Sequence, residues 1–163
     1  SEHVYRLKKF GHLGEDEYQE VGINAKISEL HAAMGLCILP LIDGIIERRR
    51  EISEWYDEII SDSQVLRPQP PHGLDYNYSY YPVLFSSHES MKQVRQNLID
   101  QDIHPRRYFY PSLNTLPYLQ QAGYKSCPVS ESVAQRVLCL PLYFELQKEE
   151  TIKVTNILTS IIK

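Results

Sequence analysis

Residues 20–61 read EVGINAKISELHAAMGLCILPLIDGIIERRREISEWYDEIIS. Apolar side chains at Ile27, Leu30, Met34, Ile38, Leu41, Ile45, Ile52, Trp55 and Ile59 recur at spacings of three, four or seven, which is one face of an amphipathic helix. Asn24 and Ser28 have short side-chain oxygens that accept from the orphan N–H groups of a first helical turn, so the helix should begin between them. Gly22-Ile23-Asn24 is then expected as a turn at a helix N-terminus, where free N–H groups and the helix dipole suit an anion such as phosphate. Pro40 cannot donate to the carbonyl of Leu36 and its ring crowds that carbonyl. Two helices end to end, with Pro40 in the first turn of the second, are expected rather than one straight rod.

Outward from this run, residues 2–10 form a short helical stretch that Gly11 and Gly14 break, and 15–21 is polar and reads as loop. Past the long helix, RPQPPHG at 67–73 cannot continue a helix and marks the step to sheet. YNYSYYPVLF at 76–85 reads as a strand in which Pro82 implies an edge or a bulge. Residues 87–101 read as a helix capped by Ser86, with Met91, Val94, Leu98 and Ile99 inward, and 103–111 as a second strand leading into a loop. Cys127-Pro128-Val129-Ser130-Glu131 is a start signal for a helix to Leu138, Leu140 to Tyr143 a short extended piece, and 147–162 a final helix with Ile152, Ile157, Leu158, Ile161 and Ile162 apolar. The fold class is therefore α/β of the α+β kind: a long kinked N-terminal helix and a small, mainly antiparallel sheet of three or so strands with helices on one face.

Composition is that of an ordinary globular chain: 163 residues, 42% apolar and 23% charged. A chain of this length buries roughly 70% of its unfolded surface. The net charge of −4 gives no footprint for nucleic acid or anionic lipid, and Arg48 to Arg50 sit beside Glu47 and Glu51 as a solvated face. Three cysteines, Cys37, Cys127 and Cys139, lack C-x-x-C spacing and indicate neither a disulfide framework nor a metal site, which fits a reduced cytoplasmic setting. No apolar run approaches the ~20 residues of a membrane helix, and SEHVYRLKKFG lacks the apolar core of a signal peptide.

The run GINAKISELHAAMGL resembles the G-x-N-x-[RK]-M-S-x-L-x-A-A-x-G-L motif of the DegT/DnrJ/EryC1/StrS family, pyridoxal-phosphate-dependent aminotransferases acting on nucleotide-linked keto sugars. IHPRRYFYPSLNTLPYL at 103–119 is similar to that family's substrate loop, and CPVSESVAQRVLCLPLYFEL at 127–146 to its C-P-x-[AS]-E…L-x-L-P-L-[HY] motif. Ile23, Lys26 and Ile27 depart mildly from the pattern, standing where an aromatic, Arg and Met are usual. The resemblance implies the C-terminal small domain of a fold-type I aminotransferase. Residues 1–23 would be the end of a large domain and a loop, and 24–163 the small domain with its long linker helix. The Schiff-base lysine would lie outside the chain, so no catalytic residue is assigned and the isolated chain is expected to be inactive.

By the same resemblance, Asn24 and Lys26 would contact the cofactor phosphate across a homodimer. Read from residues alone, Asn24 is an N-cap and Lys26 a surface charge. Arg106, Arg107, Tyr108 and Tyr110 form the densest group of phosphate- and sugar-capable side chains. Arg107 and Tyr108 match the family's basic-then-aromatic pair and would line the sugar side of the substrate. His31 is expected as a packed or solvent-facing residue. The implied parent reaction moves an amino group from glutamate to a nucleotide-linked keto-deoxysugar with pyridoxal phosphate, without nucleic acid or membrane. Two alternatives stay open: a related sugar dehydratase, and a non-catalytic dimerisation module.

Overall fold

A computed structural model describes residues 1–14, 17–60, 65–121 and 123–162. The expected loop at 15–21 lies partly outside these residues. The chain divides into two compact units, Ser1–Asp43 and Gly44–Lys163.

The first unit opens with α1, Glu2–Leu7. An irregular stretch follows in which Phe10 and Gly11 both take positive φ, 63° and 82°. Lys9 then pairs with Asn24 and His12 with Tyr18 as single antiparallel bridges. Helix α2, Glu29–Ile38, starts at the expected cap: Ser28 Oγ accepts from the His31 backbone N–H at 3.3 Å. Leu39–Leu41 is a turn of 3-10 helix carrying Pro40, so the proline tightens the helix into the next segment, as its missing donor requires. No residue of α2 is buried. Ile27, Leu30, Met34 and Ile38 are between 49% and 74% exposed. The helical run Glu29–Ile60 contains an 18-residue window long and apolar enough to cross a membrane, with none of that window buried. The expectation that no run approaches such a length is thereby corrected, since the turn at Pro40 does not interrupt the helix.

The second unit carries the core. Helix α3, Ile42–Ile60, turns Ile52, Tyr56 and Ile60 inward at i, i+4 and i+8. Strand β1, Tyr81–Leu84, pairs antiparallel with β2, Val137–Leu140, placing Tyr81 opposite Leu140 and Leu84 opposite Val137. The strand is shorter than the expected 76–85. Leu84 exchanges backbone bonds with Leu66, on the side away from β2. Pro82 shares that outward direction, being two residues from Leu84, so its missing N–H removes no bond from the β1–β2 ladder.

Helix α4, His88–Ile99, is capped by Ser87, whose Oγ accepts from the Ser90 N–H at 3.0 Å. The cap falls one residue after the expected Ser86. A short helix α5, Pro117–Gln121, precedes α6, Pro128–Arg136, and α7, Lys148–Ile161, closes the unit. Met91, Val94 and Leu98 of α4 meet Val154 and Leu158 of α7, Ile52 and Tyr56 of α3, and Leu138 of β2 in one cluster. Burial of each such side chain contributes about 1.5–3 kcal/mol.

Two expectations are corrected. The third helix stops at Arg136, because Val137 to Leu140 are all buried and take the strand that a short apolar run equally allows. Residues 103–111 are not a strand: Arg106 and Cys139 exchange two backbone bonds, 3.2 and 2.7 Å, as a single rung. Pro105 and Pro111 lack the donors that a longer ladder would need. The buried stripe of α7 is Thr151, Val154, Thr155 and Leu158, with Ile152 40% exposed.

Candidate functional site

In the first unit, Gly22 is where the backbone closes on itself. A Cβ there would lie 2.3 Å from Gly11 N, 2.5 Å from Leu7 O and 2.6 Å from the Phe10 carbonyl carbon, all backbone atoms. The glycine thus serves close approach of two chain segments. The Ile23 N–H donates to Leu7 O at 2.8 Å and the Ala25 N–H to Lys8 O at 3.0 Å. Glu20 adds a clamp, pairing with Arg6 at 3.1 Å and His3 at 2.9 Å. The expected turn of free donors at a helix N-terminus is therefore corrected: the Ile23 and Ala25 N–H groups are spent on the C-terminal end of α1, and α2 begins only at Glu29.

What the arrangement offers outward is side chains. Asn24 and Lys26 are both exposed. They stand two residues apart, the spacing that places side chains on one side of an extended chain. Lys26 Nζ lies 5.7 Å from the centre of the Phe10 ring. An amide donor beside an ammonium suits a phosphate group, and pyridoxal phosphate carries one. The donor set fits that group's phosphate and supplies nothing for its ring. His31 is exposed, its Nδ1 2.8 Å from Ser28 Oγ.

In the second unit, Arg107 turns to the end of α6. Its Nη2 donates to Ala134 O at 3.1 Å and Gln135 O at 3.3 Å, and its guanidinium stacks 3.5 Å from the centre of the Tyr110 ring. A cation on the last carbonyls of a helix is favourable electrostatically. Its Nε is buried without a hydrogen-bond partner. Tyr108 meets Tyr80 edge-on, ring centres 5.1 Å apart. Both tyrosines line a cleft of about 730 Å³ that also receives Arg106, His104, Tyr143 and Lys153. Burial and the neighbouring Glu150 carboxylate raise the Tyr143 hydroxyl above its usual range, so it remains a donor.

The loop carrying these residues is fastened by Glu131. Its carboxylate accepts from Asn114 Nδ2 at 2.7 Å, from the Cys127 N–H at 2.8 Å and from Ser126 Oγ at 3.0 Å. The Asn114 bond above all, then the Cys127 N–H and Ser126, holds this carboxyl below the usual carboxylate range. Sequence reasoning saw Glu131 only as a helix-start signal. It did not find Lys153, which α7 brings to the cleft and which reads as one charge on a polar face.

The model of the DegT/DnrJ/EryC1/StrS aminotransferase family matches residues 1–159, and the chain belongs to that family. It is 36% identical over 161 residues to a dTDP-4-amino-4,6-dideoxy-D-glucose transaminase of Escherichia coli, covering 95% of this chain and 43% of that one. The solved structure of DesI with its TDP-sugar product superposes with a TM-score of 0.85 at 29% identity, covering 96% of this chain and 41% of that one. A Streptococcus pneumoniae structure described as a PLP form superposes at 0.83 with 20% identity, over 96% of this chain and 42% of that one, a likeness of fold. The architecture is thus that of the small domain of fold-type I aminotransferases. The chain spans about two-fifths of the length of the relatives it matches.

Proposed function

We propose that this chain is the C-terminal part of a homodimeric, pyridoxal-phosphate-dependent enzyme that moves an amino group from glutamate to a keto position of a nucleotide-linked deoxysugar. The observation that carries this reading is the 36% identity, over nearly the whole chain, to a transaminase of a dTDP-linked aminodeoxyhexose. Residues 1–23 end the large domain, and 24–163 form the small domain with its linker helix. The exposed apolar face of α2 is then a surface for the part of the enzyme this chain does not span. The free thiols of Cys37, Cys127 and Cys139 suit a reducing cytoplasm.

Asn24 and Lys26 hold the cofactor phosphate of the partner subunit, the amide donating one hydrogen bond and the ammonium balancing charge. Gly22 sets where that pair sits. Tyr108 and Arg107 stand on the sugar side of the substrate, Arg107 through the Tyr110 ring it supports. When bound, pyridoxal phosphate supplies the electron sink for amino transfer. The Schiff-base lysine comes from outside the chain, and the isolated 163 residues are inactive.

The test is amino transfer by the protein that carries this chain together with the remaining length of its relatives. With glutamate and a dTDP-linked 4-keto-6-deoxyhexose, formation of the amino sugar is expected. A folded, cofactor-loaded protein that makes none, or that eliminates water from the sugar instead, refutes the reading.

A further inference from the structure

Helix α6 ends on carbonyls that have no partner inside it, those of Val133 to Arg136, and all four are satisfied from beyond the helix. Val133 O accepts from the Val137 N–H, where β2 begins, and Arg136 O from the Phe85 N–H at 3.0 Å. The two between them are met by side chains. Ala134 O accepts from Arg107 Nη2 at 3.1 Å. Gln135 O accepts from the same Nη2 at 3.3 Å and from His88 Nδ1 at 2.7 Å, which uses both lone pairs of that oxygen. A carbonyl only accepts, so Nδ1 carries a proton, and the contact persists whether or not Nε2 is protonated as well.

His88 stands on a fixed base. It is half-buried, the first residue of α4, directly after the Ser87 cap. Just before that cap, Arg136 Nη1 donates to Phe85 O at 2.9 Å. The imidazole therefore ties the start of α4 to the last turn of α6, the turn on which Arg107 rests. We propose that His88 is a positioning residue for the substrate loop: by holding the Gln135 carbonyl it fixes where the Arg107 guanidinium lies, and Arg107 in turn holds the Tyr110 ring stacked on it. The assignment rests on the reading that puts Arg107 and Tyr110 on the sugar side of a nucleotide-linked substrate, and it gives that loop a support from α4. Without the imidazole, Gln135 O keeps only half of its partners. Arg107 Nη2, shared between two carbonyls, is then drawn toward Gln135, and the guanidinium turns against the Tyr110 face.

The test uses two substitutions that separate the donor from the bulk. His88→Asn loses volume but keeps an amide nitrogen one bond beyond Cγ, where Nδ1 stands; His88→Leu keeps the bulk and has no donor. In the longer protein, His88→Leu is expected to raise KM for a dTDP-linked 4-keto-6-deoxyhexose about fivefold, the worth of one hydrogen bond, with kcat and the KM for glutamate within about twofold of wild type. His88→Asn should stay within about twofold throughout. In the 163-residue chain, the NMR signal of the buried Arg107 Nε–H is expected to move in His88→Leu and to hold its place in His88→Asn, with the Leu98 and Leu138 amides unchanged in both as evidence of an intact core. A larger loss in His88→Asn than in His88→Leu, a fall in kcat at constant KM, or an unmoved Arg107 signal in His88→Leu each overturns the proposal. The Arg107 signal needs no activity, whereas amino transfer by the wild-type longer protein decides the reading beneath, so the two failures are distinguishable.

Discussion

Replacing Gly22 by Ala is expected to release the segment that presents Asn24. The added Cβ would lie 2.3–2.6 Å from three backbone atoms, Gly11 N, Leu7 O and the Phe10 carbonyl carbon, so no side-chain rotation relieves it. Overpacking of this kind costs about 1–3 kcal/mol. Moving the segment away also forfeits the Ile23-to-Leu7 and Ala25-to-Lys8 backbone bonds, worth about 1 kcal/mol each. Neither α1 nor α2 contributes a buried residue to oppose the change. The opening free energy of this segment therefore falls by more than ~1.4 kcal/mol, a factor of ten or more in exchange protection. Hydrogen exchange at the Ile23 and Ala25 amides measures it, with Leu98 and Leu138 amides as internal references unaffected by the change. Gly14→Ala is the control, since a Cβ there meets nothing within 4 Å. Retained protection at Ile23 and Ala25 in Gly22→Ala would refute the close-approach argument.

Leu158→Ala should lower stability by about 2–5 kcal/mol, because this fully buried side chain sits where α7 meets the core; the urea midpoint falls with an unchanged slope. Ser28→Ala should cost α2 about 1 kcal/mol of cap energy, read as loss of helical chemical shifts from Glu29 to Ala32. Glu131 predicts a direction with pH. Its folded-state pKa is depressed, so its contribution to stability is fully present above the ordinary value of 4.5 and is lost as pH falls through the lowered folded value. In thermal melts, wild type should exceed Glu131→Gln at neutral pH and the gap should close in acid; a gap independent of pH would contradict the assignment.

The long helix, its Ser28 start and the tightened turn at Pro40 were legible because periodicity, a cap residue and a missing donor are all local in sequence. The helix at 88–99 was legible for the same reason, and the one-residue error in its cap reflects two adjacent serines of equal chemistry. Val137 to Leu140 were not, because four apolar residues after a helix fit either state until β1 supplies a partner. The 103–111 segment had strand-like composition but lacked the donors at Pro105 and Pro111 that pairing needs. For the site, the motif glycine was visible and its reason was not. The clash that makes Gly22 necessary involves backbone atoms of residues 7–11, which no local pattern identifies. Arg106 and Arg107 are adjacent and alike in sequence; only the fold shows one spent on helix carbonyls and the other facing a cleft.

Subunit mixing tests the central claim, that this chain completes its partner's active site. Asn24→Ala is combined in the longer protein with a second variant that lacks the Schiff-base lysine contributed from outside this chain. Each homodimer alone is impaired. If Asn24 acts across the dimer, every hybrid carries one intact site, and random pairing restores amino transfer toward about a quarter of wild type. If activity stays at the sum of the two impaired proteins although hybrids form, Asn24 serves its own subunit or none, and the account is contradicted.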